Sequence, residues 1–139
     1  MAHSPLSDLE AFARKQIVAE HYPNDAHFFR LYQCDACGVV PFELTIEYHT
    51  GAKRGDFKGV IWGNCTVCGA QKQVFSFTGP HRQPLREEMP TCTCGHRGFL
   101  VGECERIERE DGLMGFFDEG VVVAKCSRCG RNRTLVHTD

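Results

Sequence analysis

The chain lacks most of the features that settle a protein's class at a glance. No apolar run approaches the roughly 20 residues that span a bilayer, so an integral membrane protein is not expected. Neither sign of charge dominates: 16 Lys+Arg stand against 18 Asp+Glu, a formal charge of −2 at pH 7. Binding to nucleic acid by bulk charge is therefore not expected. A phosphate-binding loop is missing. Gly51, Gly55 and Gly59 have neither the strand-to-helix setting nor the Lys-Ser/Thr ending. The seven histidines share no spacing, and no Ser-His-Asp order or carboxylate pair stands in a catalytic frame. A non-enzymatic protein is expected. Met1 to Pro5 carries no basic n-region and no apolar h-region follows, so a reducing, cytoplasmic setting is expected. With 42% apolar residues the chain is too hydrophobic for a disordered tail. Its 139 residues suit one ordinary domain or two very small ones.

What the chain does have is cysteine. There are nine: Cys34, Cys37, Cys65, Cys68, Cys92, Cys94, Cys104, Cys126 and Cys129. The number is odd and eight form close pairs, which reads as metal knuckles rather than a disulfide framework. A repeat runs through them. Cys34-x2-Cys37-Gly38 and Cys65-x2-Cys68-Gly69 are followed by Cys92-x-Cys94-Gly95 and Cys126-x2-Cys129-Gly130. Phe42 and Phe99 each lie five residues after a knuckle, and Gly59–Cys65 parallels Gly120–Cys126. Two copies of one supersecondary unit explain this pattern.

Zinc takes four ligands in a tetrahedron and favours thiolate. Two cysteines with a short spacer cover one side of the ion, and a knuckle at the far end of a hairpin covers the other. The glycine after each knuckle permits a left-handed backbone. The expected sites are Cys34, Cys37, Cys65 and Cys68, then Cys92, Cys94, Cys126 and Cys129, with one Zn2+ in each. His96 follows a knuckle but the cysteines already fill that shell. Cys104, the remainder, is read as a small half-buried side chain, a redox-active thiol, or a replacement ligand for Cys92 or Cys94.

The chain resembles tandem zinc ribbons over residues 31–78 and 91–139. The resemblance implies two three-stranded modules, each built from two knuckles on β-hairpins. The first copy also resembles rubredoxin in Tyr32-x-Cys34-x2-Cys37-Gly38 and Cys65-x2-Cys68-Gly69-x2-Lys72-x2-Phe75, with Thr66 where that family usually has proline. That likeness implies a shared knuckle geometry and, as an alternative to zinc, iron in the first site.

The expected fold is a small β-rich metal-binding protein, two tandem zinc ribbons with an N-terminal α-helix. Residues 1–30 form the helix and lead-in, 31–78 the first ribbon, 79–90 a proline-rich linker, and 91–139 the second ribbon. A capping box at Ser7–Glu10 and helical spacing of Leu9, Phe12, Ala13 and Ile17 predict an amphipathic helix over 7–21. Asn24-Asp25 reads as a turn and 27–32 as extended chain. Phe42, Leu44, Ile46 and Tyr48 alternate with polar residues, which predicts a half-buried strand. Further strands are expected over 57–63, 71–78, 97–108, 119–125 and 131–138. Residues 111–119 should form an apolar hairpin tip, either exposed for a partner or folded back on the core. Residues 103–119 hold seven acids and two arginines, whereas Lys125, Arg128, Arg131 and Arg133 surround the last knuckle. These opposite charges either pair across the sheet or offer a nucleic-acid contact. The expected function is a zinc-stabilised adaptor for a protein partner. The alternatives are nucleic-acid recognition in transcription through those four basic residues, and a rubredoxin-like iron electron carrier.

Overall fold

The computed structural model describes residues 5–17, 26–50, 56–80, 87–110 and 113–138. The elements are α1 (Pro5–Gln16), β1 (Ala26–Leu31), β2 (Phe42–Thr50), β3 (Asp56–Cys65), β4 (Gln71–Pro80), β5 (Glu87–Glu88), β6 (Gly98–Glu110), β7 (Leu113–Cys126) and β8 (Asn132–Thr138). The pairings whose register is resolved are antiparallel. Two compact units result. One, the helix unit, comprises Met1–Tyr32, Leu100–Lys125 and Gly130–Asp139. The other, the knuckle unit, comprises Gln33–Phe99 and Cys126–Cys129. These cuts differ from the segments 1–30, 31–78, 79–90 and 91–139. The last knuckle groups with the first three because the Ser127 amide donates to the Gly98 carbonyl at 3.0 Å.

In the knuckle unit β2 pairs with β3 from Phe42↔Cys65 to Thr50↔Phe57, and β3 pairs with β4. Phe42, Leu44 and Ile46 are buried, as the period-two pattern predicts. Space at Gly63 is tight: a Cβ on it would lie 3.0 Å from Val74 and 3.2 Å from the Phe42 ring. Phe42 also pairs with Phe99 in the short β2–β6 ladder, and both rings are fully buried. The linker expected over 79–90 is partly sheet. Gly79 and Pro80 finish β4, and Glu87–Glu88 pairs with Glu47 and Ile46. Open backbone groups on β2 favour this added pairing. Residues 81–86 lie outside the described residues.

The helix unit has one face of α1 as its lid. Leu9, Ala13 and Ile17 pack with Cys104, Val121 and Val123, joined by Phe12, Phe29, Leu31 and Leu100. Leu9 is fully buried, so truncation to Ala costs about 2–5 kcal/mol. The helix begins earlier than expected, at Pro5, and Ser7 sits inside the first turn instead of capping it. The fixed φ of proline suits a first helical turn. Residues 18–25, including the expected helix end and the Asn24-Asp25 turn, lie outside the described residues. β1 pairs with β6 from Ala26↔Ile107 to Leu31↔Gly102. The expected tip at 111–119 is corrected as well: 113–119 belong to β7, which neighbours β6 in the sheet and so draws this stretch into strand. Residues 111 and 112, and the side chains of 113–119, lie outside the description.

One irregularity recurs. The β3–β4 register shifts between Ile61 and Trp62, and the β7–β8 register shifts between Val122 and Val123. Each shift falls the same distance before a knuckle cysteine, Cys65 or Cys126.

Candidate metal centres

Three of the four knuckles are tight turns closed by their own backbone. The Gly38 amide donates to the Cys34 carbonyl at 2.8 Å, Gly69 to Cys65 at 2.9 Å, and Gly95 to Cys92 at 2.8 Å. Gly38, Gly69, Gly95 and Gly130 have φ of 79°, 78°, 91° and 79°. A side chain is strained in that left-handed region, which is why glycine follows each pair. The turned amides face sulfur: Val67 and Cys68 both donate to the Cys65 Sγ at 3.4 Å, and Cys129 donates to the Cys126 Sγ at 3.5 Å.

Both expected ligand sets assemble. Cys34, Cys37, Cys65 and Cys68 bring their Sγ atoms within 4.8 Å of one another, and so do Cys92, Cys94, Cys126 and Cys129. Either group could hold a metal ion. Both lie in the knuckle unit. The closest approaches are Cys34–Cys68 at 3.5 Å, Cys92–Cys129 at 3.4 Å and Cys94–Cys126 at 3.6 Å. A disulfide would bring two sulfurs to about 2.05 Å, so these are thiols. Two cysteines of each group are buried, Cys34 and Cys65 in the first and Cys92 and Cys126 in the second, whereas Cys68, Cys94 and Cys129 are exposed. The Cys68 amide draws the Cys65 thiol down to about 6, and the Cys94 amide does the same for Cys92. Burial and the neighbouring thiols push Cys37 up to about 12.

The two centres are buttressed alike. The Pro41 carbonyl accepts from the Thr66 amide at 3.2 Å and hydroxyl at 2.8 Å. The Gly98 carbonyl accepts from the Ser127 amide and hydroxyl, each at 3.0 Å. His96 stays outside the ligand set and its Nε2 meets the Ser127 Oγ at 2.8 Å. Lys72 donates to the Gln33 carbonyl at 2.9 Å across the first centre.

Cys104 and Lys125 are both placed in the helix unit. Cys104 belongs to neither ligand group; it is fully buried against α1, and that burial raises its thiol. Lys125 is also buried. Its Nζ donates to the Gly130 carbonyl at 3.1 Å and lies 4.0 Å from Asp8 on α1. Its partner is thus a helix residue, and its position after the buried run Val121–Ala124 removes it from the surface. Arg128 and Arg131 remain exposed.

A polar cluster in the helix unit was not foreseen. Glu103 is buried yet charged; Arg30 Nη2 lies 3.3 Å from its Oε2, and the Tyr32 hydroxyl donates to the same oxygen. The Arg30 guanidinium lies 5.2 Å from the Tyr32 ring centroid. The sequence signal for it is the alternation Phe28, Arg30 on β1, continued by Tyr32 just beyond its end, and Glu103, Glu105 on β6.

No family model, curated protein or solved structure matches the chain. The protein is defined by its own chemistry: a β-rich chain with one short helix and two four-cysteine groups. Among the described residues no helix is long and apolar enough to cross a membrane.

Proposed function

We propose that the chain is a zinc protein of two ribbon-like copies, and that it works as a non-enzymatic adaptor for a protein partner in a reducing compartment. The observation that carries this reading is the convergence of eight cysteines into two four-sulfur groups. A tetrahedron with Zn–S bonds of about 2.3 Å has sulfur–sulfur edges of about 3.8 Å. The closest pairs, at 3.4 to 3.6 Å, need only slight opening to reach it. A shell of four thiolates leaves no position for substrate, which favours a structural over a catalytic ion. The matching register shifts and carbonyl buttresses support the two-copy reading. The knuckle turns present Val39 and Val67, the latter 68% exposed, and apolar tips of this kind suit a protein surface.

Elemental analysis of protein purified without added metal tests the metal half. Two zinc per chain is the expected result; fewer than one per group refutes it. A coloured, iron-containing protein would replace zinc by the rubredoxin-like reading in the first site. The adaptor half is tested by capture from native lysate with Val67→Glu as the comparison. Loss of a specific captured protein, at unchanged metal content, is expected. The nucleic-acid reading rests on Arg128, Arg131 and Arg133, since Lys125 is buried. A salt-titrated binding assay with those three changed to Ala decides it.

A further inference from the structure

The helix unit holds a cavity of about 200 Å³ lined by Phe28, Phe29, Arg30, Glu103 and Glu105. We propose that it takes a monovalent organic cation, an alkylammonium or guanidinium head on a short hydrocarbon stem, with the charge against Glu105 and the stem against Phe28. The β1–β6 register builds this arrangement. Phe28 is directly opposite Glu105, and Arg30 directly opposite Glu103. Directly paired residues have Cβ atoms about 5 Å apart, so a cation seated on Glu105 reaches the Phe28 ring face.

The charges on the cavity wall are unevenly answered. Arg30 is committed to Glu103 and to the Tyr32 ring, and Tyr32 also serves Glu103. Among the described residues Glu105 has no cation of its own, and its hydrogen bond is to Glu103. Two carboxyl groups therefore share one guanidinium. A proton fills the deficit: the hydrogen bond to Glu103, together with burial, raises Glu105 to about 7. An ammonium or guanidinium head that displaces that proton leaves Glu105 ionised beside Glu103 and supplies the positive charge the second carboxylate then needs. The volume limits the ligand. Pockets for drug-sized molecules begin at about 300 Å³, so this one fits a single side-chain-sized group. Phe28, 48% exposed, supplies an apolar wall that strands normally keep covered.

The two sources of such a group are a free amine and a Lys or Arg side chain of a peptide. The full metal-loaded chain is titrated with n-butylammonium and, separately, with N-acetyl-arginine amide, following backbone amide shifts by NMR. Shifts at Phe28 and Glu105 with saturation in the low millimolar range, about −4 kcal/mol, are expected for at least one probe. The stronger probe identifies the source. Calorimetry at pH 7 in buffers of different ionisation enthalpy should show release of about half a proton per ligand. Glu105→Gln should abolish that release and weaken binding about fivefold. Phe28→Ala, at an exposed site that does not hold the fold, should weaken it about threefold. Absence of saturable shifts with both probes overturns the proposal, as does unchanged affinity in both variants.

Discussion

Both four-cysteine groups belong to one compact unit, and this makes a quantitative prediction about metal and stability. An ion that binds the folded chain alone stabilises it by about 1.4 kcal/mol for each tenfold rise in free metal above Kd, per site. If the knuckle unit unfolds as one body, its two sites act on the same transition. Its stability should then rise by about 2.8 kcal/mol per decade of buffered zinc. Two separately folding ribbons would instead give two transitions, each with about 1.4 kcal/mol per decade. Cys65→Ser breaks the first group at its best-anchored ligand, which is 3% exposed and accepts two amides at 3.4 Å. It should halve the slope and leave one zinc per chain. The assay is urea unfolding by near-UV circular dichroism at a series of chelator-buffered zinc concentrations, with elemental analysis of each sample. A slope of zero in the wild type would refute zinc as a structural element. Equal slopes in wild type and Cys65→Ser would refute the assignment of Cys65. Two resolved transitions that each shift with zinc would refute the single knuckle unit.

Three further outcomes are expected. Glu105 is raised to about 7 in the fold from its ordinary 4.5, so its contribution is complete below about pH 4.5, declines as pH rises from there to about 7, and is gone above. After allowance for its exposure this is about 1 kcal/mol, and urea midpoints from pH 5 to 8.5 should show a slope that Glu105→Gln flattens. Gly102→Ala should cost about 1–2 kcal/mol, because the new methyl would sit 2.6 Å from the Phe29 ring tip; the double change with Phe29→Leu should recover most of it. Lys125→Ala should cost about 1–2 kcal/mol by leaving the Gly130 carbonyl short of its donor, measured by chemical denaturation, with metal content unchanged.

Residue type and short spacing carried the metal chemistry into the sequence, because a knuckle is a local object: two thiols, a short spacer, and a glycine with positive φ. The strands of the first copy were legible for a similar reason, since the alternation of Phe42, Leu44 and Ile46 with polar residues is complete within one segment. Chemistry written in cross-strand register was not legible. Arg30 and Glu103 are 73 residues apart, and nothing near either one names the other. Their meeting is fixed by the β1–β6 register, which also sets Phe29 on Gly102. The grouping of the last knuckle with the first three follows from bonds to Gly98, again a long-range matter. Lys125 is the instructive intermediate case. Val121, Val122, Val123 and Ala124 are buried without alternation, and a strand covered on both faces reads as a continuous apolar run. A lysine that immediately follows such a run inherits its burial, so it needs an acceptor within reach. The Gly130 carbonyl and Asp8 meet that need. The lysine's charge is thus spent on fixing a turn and a helix, and the surface near the last knuckle is left with arginines, the residues to change in any search for a partner there.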